Sequence, residues 1–143
     1  MLSPKFTWIP LGVGGGLLEK DLSAHLIAPM GSHDFICLDA GTLLSGLKAA
    51  NEAGCFHDIP IPEGSALSPE GYVLHHHIKA YLISHPYLDH TQGLAAISPN
   101  DAPKPVLSME GTIAISDLTC STGEPGPILE IPGSRRAWDS IDI

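Results

Sequence analysis

Three side chains suited to holding a metal ion, His85, Asp89 and His90, fall within six residues of the stretch ISHPYLDHTQGL, Ile83 to Leu94. They follow directly on the apolar, β-like run Ala80 to Ile83. Imidazole and carboxylate suit zinc and similar divalent ions, and a turn at a strand's end can aim closely spaced side chains at one point. The pattern is H-x-Y-x-D-H. The competing structural reading is a His-Pro turn followed by an Asp N-cap, since all three are ordinary turn and cap residues.

The elements around this motif predict a mixed α/β chain. Phe6 to Leu11 reads as a strand and Gly12 to Gly16 as a tight loop, with two further strands, Ala24 to Ile27 and Phe35 to Leu38, around the turn Pro29-Met30-Gly31-Ser32. This is the pattern of an antiparallel meander. Thr42 is placed to cap a helix over Leu43 to Ala53, with Gly54 marking its end. Asp58 to Pro69 reads as a loop. Ile78 to Ser84 reads as a central strand, because Ala80, Leu82 and Ile83 leave little polar character on either face. A short helix over Thr91 to Ile97, a strand over Pro105 to Leu107 and the start of a helix over Gly111 to Ile115 follow.

A chain of 143 residues fits one domain, of a size that buries roughly 68–70% of its unfolded surface. A net charge of −9 with only seven Lys and Arg argues against binding a phosphate backbone, so no nucleic-acid partner is expected. No membrane association is expected either, since Pro10 and the glycines break the apolar stretch Phe6 to Leu18. With neither a signal peptide nor a transmembrane helix convincing, the cytoplasm is the expected compartment. Cys37, Cys55 and Cys120, widely spaced and without a C-x-x-C, argue against a disulfide framework or a thiolate metal site.

Three separated segments carry a family resemblance: PLGVGGGLLEKDLSAHLI, FICLDAGTLLSGLKAA, and above all HHIKAYLISHPYLDHTQGLAAISPNDAPKP. Together they resemble the class II cyclic nucleotide phosphodiesterases over Phe6 to Ile115. The motif differs from the H-x-H-x-D-H signature of the metallo-β-lactamase superfamily only at Tyr87, which occupies the place of the second histidine. The resemblance implies the N-terminal half of a four-layer αββα sandwich of metallo-β-lactamase type. It also implies hydrolysis of 3′,5′-cyclic AMP or GMP to the 5′-nucleotide, with the cyclic nucleotide as the small-molecule partner.

In that family the metal site is binuclear, with zinc the expected metal on ligand type. His85 corresponds to a ligand of the first ion, and Asp89 and His90 to ligands of the second. Two divalent ions roughly 3.5–4 Å apart clamp a phosphoryl group for in-line attack, and Asp89 corresponds to the residue that orients the attacking hydroxide. Tyr87 departs from the pattern, because its phenol must lose a proton with a pKa of about 10 to bind metal well. Fewer than two ions per chain are therefore expected. The remaining ligands of the family fall in a C-terminal half outside this chain, which puts activity in doubt and leaves a non-catalytic relic or interaction module as an alternative. Asp39, in LDAG, matches a position near the metals in the wider fold, but is read here as a turn-forming Asx residue.

A second alternative is a dinucleotide-binding domain, from Gly12-Val13-Gly14-Gly15-Gly16-Leu17 and the acidic Asp39. The third glycine of G-x-G-x-x-G would fall at Leu17, and β-like residues follow where a helix should. His75, His76 and His77 are read as part of an extended segment on which they cannot converge, and His25, His33 and His57 as isolated surface residues. Residues 1–115 thus form the domain. Residues 116–143 are a compositional stranger, expected to be a poorly ordered, frameshifted tail: taken one nucleotide upstream, codons for Ser121 to Ile128 permit FNWRAWPN, a family-like string.

Overall fold

The computed structural model describes residues 4–18 and 20–109; the helix expected from Gly111 and the tail lie outside the described residues. Its framework is a five-stranded sheet in which sequence order is also spatial order. The strands are β1 (Phe6–Gly12), β2 (Ala24–Pro29), β3 (Phe35–Leu38), β4 (Ile78–Ile83) and β5 (Val106–Ser108). β1, β2 and β3 pair antiparallel, as the meander reading expects, and β4 pairs parallel with both β3 and β5. The parallel pairs require crossovers, supplied by α1 (Leu44–Glu52) and α2 (Pro69–His77) before β4 and by α3 (Leu88–Ile97) after it.

The β2–β3 turn is closed by the Ser32 amide donating to the Pro29 carbonyl, with Gly31 at φ +81°. That is a turn position an L side chain adopts only under strain. Because β2 returns antiparallel beside β1, no β-α-β unit follows the glycine run, and the dinucleotide-binding alternative fails on topology.

Alternation along the strands sends Ile9 and Leu11, Ala24, Leu26 and Ala28, and Phe35 and Cys37 to one face, where Leu43 and Leu47 pack against them. On β4 the alternation slips: Phe35 pairs with Ile78 but Ile36 pairs with Ala80, so Lys79 is an extra residue on the β4 side. This bulge lets Ile78, Tyr81 and Ile83 all face the core. The opposite face carries Phe6, Trp8, Ile36 and Leu82 as exposed apolar side chains. No helix among the described residues is long and apolar enough to cross a membrane.

Several local expectations need correction. Thr42 does not cap α1; its Oγ1 accepts from the Leu22 amide, and the helix starts behind Leu43 with no side-chain cap. The histidine triplet is not extended: Ser68 caps α2 by accepting from the Gly71 amide, Pro69 opens it, and His75, His76 and His77 form its last turn. Ser-Pro-Glu is a helix-start signal, and histidines in a last turn suit the negative end of the helix dipole. Nor are all single histidines isolated. His33 pairs with Asp58 at 3.0 Å, and His25 lies against Trp8 with its Nδ1 buried and without a partner among the described residues. His57 is exposed.

Candidate metal centre

β4 ends at Ile83, and the turn Ser84 to Tyr87 leads straight into α3 at Leu88. The helix is therefore longer at its start than Thr91 to Ile97 implies, and Asp89 lies inside its first turn, so the Asp N-cap reading fails; the N-cap is Tyr87. Backbone contact fixes where α3 sits. The Ala40 amide donates to the His90 carbonyl (2.7 Å), and the Leu94 amide donates to the Ala40 carbonyl (3.1 Å). So close an approach requires small residues on both sides. A Cβ on Gly41 would collide with the Asp89 carbonyl oxygen, and one on Gly93 would lie 2.7 Å from the Ala40 carbonyl oxygen.

This seating brings His85, Asp89 and His90 together, with one ligand atom from each within 4.8 Å of the others. The His85 and His90 ring centroids are 3.8 Å apart, and His90 Nε2 lies 3.5 Å from Asp89 Oδ2. Tyr87 is exposed, with its ring centroid 4.9 Å from that of His85.

Behind the ligands lies Asp39. It ends β3 with φ +55°, a left-handed conformation that Asp tolerates better than most residues. There its side chain does not serve its own turn, as the Asx reading expects. Oδ2 accepts from His90 Nδ1 at 2.7 Å, and Oδ1 accepts from the Ser84 amide and the Ser84 hydroxyl, both at 2.8 Å. Burial works to raise the Asp39 pKa, but the donors from Ser84 and His90 outweigh it and hold the carboxyl below its ordinary value. Ser84 Oγ also lies 3.0 Å from His85 Nδ1. With its proton given to Asp39, the hydroxyl accepts from that nitrogen.

Nδ1 of each imidazole thus meets an oxygen behind it, and Nε2 of His90 faces Asp89 Oδ2. A carboxylate or hydroxyl holding the far nitrogen of a ligating histidine fixes its tautomer and aim. The third ligand is fixed as well, since the Gly16 amide donates to Asp89 Oδ2 at 2.8 Å. That amide, against a smaller effect of burial and with help from His90 and His85, holds the Asp89 carboxyl below its ordinary pKa. The set fits a divalent cation: two imidazoles and one carboxylate, each oriented from outside. Ser84 and Gly16 carry no signal in the sequence for these roles, because their partners lie far along the chain.

The chain matches the family of cAMP phosphodiesterases class-II over residues 6–119. It is 39% identical over 110 residues to a 3′,5′-cyclic-nucleotide phosphodiesterase of Aliivibrio fischeri, covering 77% of this chain and 33% of that protein. It is 36% identical over 110 residues to a probable 3′,5′-cyclic-nucleotide phosphodiesterase of Yersinia pestis, covering 77% of this chain and 32% of that one. The chain therefore spans about a third of the length of these relatives. The fold superposes on the crystal structure of unliganded yeast PDE1 with a TM-score of 0.60 at 22% identity, over 78% of this chain and 43% of that one. The α/β half-sandwich is thus of metallo-β-lactamase type, and on sequence the chain belongs to the class II cAMP phosphodiesterases.

Proposed function

We propose that this chain carries part of the metal-dependent site of a 3′,5′-cyclic-nucleotide phosphodiesterase, with zinc as the ion and cAMP or cGMP as substrate. The observation that carries the reading is the convergence of His85, Asp89 and His90 to within 4.8 Å, each aimed by a separate hydrogen bond. When bound, the ion supplies Lewis acidity that offsets the charge of a phosphodiester under attack. His85 and His90 would hold it through Nε2, and Asp89 would hold it and orient the attacking water. Asp39 and Ser84 lock the two imidazoles. The relatives' names, which specify 3′,5′-cyclic nucleotides, support the substrate class.

Tyr87 offers a phenol where the family resemblance places an imidazole, so this chain is read as holding fewer than two ions and as a weak catalyst. A binding-only segment is the second reading, and Tyr87 is what favours it. Incubating the zinc-loaded chain with cAMP and resolving 5′-AMP by chromatography tests the proposal. At most slow hydrolysis, abolished by a chelator and by His90→Ala, is expected. Turnover that survives both would show that the chemistry lies elsewhere, and fast turnover would overturn the role given to Tyr87.

A further inference from the structure

We infer that the backbone amide of Gly16 is a positioning group for Asp89, so that the glycine-rich β1–β2 loop belongs to the metal site. The inference rests on the proposed metal-binding role of Asp89. A carboxylate at the rim of a site turns freely unless something holds one oxygen. Here Gly16 N–H holds Oδ2 at 2.8 Å across 73 residues of sequence, which leaves Oδ1 and a remaining lone pair on Oδ2 for an ion. Hydrogen bonds to an ionised acceptor are among the stronger ones.

The loop is built for this approach. Its two arms are tied together ahead of β2 by the Gly14 amide donating to the Asp21 carbonyl at 2.6 Å and by the bridge between Gly14 and Leu22. A Cβ at Gly15 would lie 3.2 Å from Asp89 Oδ2, tighter than most such contacts. Gly16 itself takes φ +65°, which an L residue adopts only with strain. The run Gly14-Gly15-Gly16, which a dinucleotide-binding reading would assign to phosphate, is used instead to bring an amide onto a metal ligand.

Two experiments on the full chain test this. The first needs no metal. In ¹⁵N–¹H spectra, Asp89→Ala is expected to move the Gly16 amide proton upfield and speed its exchange while the Gly31 amide is unchanged; an unmoved Gly16 amide would overturn the inference. The second titrates Co(II) alone and reads affinity and the visible ligand-field spectrum. Gly16→Ala is expected to weaken affinity by about 10–100-fold, the range for groups that orient metal ligands. Gly31→Ala is the control, since its φ of +81° imposes the same backbone strain with open space around it, and it is expected to leave affinity unchanged. In an Asp89→Ala background, Gly16→Ala is expected to add nothing. Equal losses from Gly16→Ala and Gly31→Ala, or a Gly16→Ala loss that persists without Asp89, would overturn the inference. Failure of the unmodified chain to bind Co(II) would instead defeat the metal-site proposal, with the amide measurement still deciding the role of Gly16.

Discussion

His90 Nδ1 donates to Asp39 Oδ2 at 2.7 Å across 51 residues of sequence, joining the end of β3 to the first turn of α3. The same carboxylate accepts twice from Ser84, so one side chain organises both histidines of the site. Asp39→Asn keeps the shape but replaces an anionic acceptor with a neutral amide. It is expected to weaken zinc binding by about 10–100-fold, measured by competition against a chromogenic chelator. Ser84→Ala, which removes the hydroxyl but keeps the amide donor, is expected to cost less.

The seating of α3 has its own test. At Gly41 a Cβ would press on the Asp89 carbonyl oxygen and lie 2.6 Å from the Leu22 Cβ. Gly41→Ala is therefore expected to destabilise the fold by about 1–3 kcal/mol, the usual range for overpacking, and to weaken metal binding as the helix shifts. Urea denaturation followed by circular dichroism reads the first effect. An unchanged midpoint would show that α3 does not pack as described.

Thiol chemistry reports on the core. Cys37 is fully buried on β3, and burial together with the nearby Asp39 charge pushes its thiol up to about 12, whereas Cys55 is exposed. In a Cys120→Ser background, a disulfide reagent at pH 8 is expected to label Cys55 rapidly and Cys37 only after denaturation. Fast labelling of both in the native protein would contradict the burial of β3.

The sheet and the grouping of His85, Asp89 and His90 are legible because their signals are local. An apolar run followed by two histidines and an aspartate within six residues is complete within a dozen residues, and the meander is punctuated by its own turn residues. What could not be read depends on distance. Asp39 has a local preference for turns, and that preference hides partners at Ser84 and His90 that only the fold brings near. Gly16 looks like loop filler until its amide meets Asp89. The histidine triplet adjoins β4 and so looks extended, although Ser68-Pro69-Glu70 marks the start of the helix that carries it.

Tyr87 offers a gain-of-function test. Its ring is exposed and stands 4.9 Å from that of His85. Tyr87→His is expected to raise the zinc content per chain, measured by plasma mass spectrometry after gel filtration, without a loss of thermal stability. An unchanged content would mean that a side chain at this position does not reach the ion.

The central claim, that His85, Asp89 and His90 form a metal centre, is tested most directly by zinc titration calorimetry on the unmodified chain and on the triple variant His85→Ala, Asp89→Ala, His90→Ala. The account predicts saturable binding of fewer than two ions by the unmodified chain, and loss of that binding in the variant while its circular dichroism stays native. Equal binding by both proteins, or none by the unmodified chain, would contradict it.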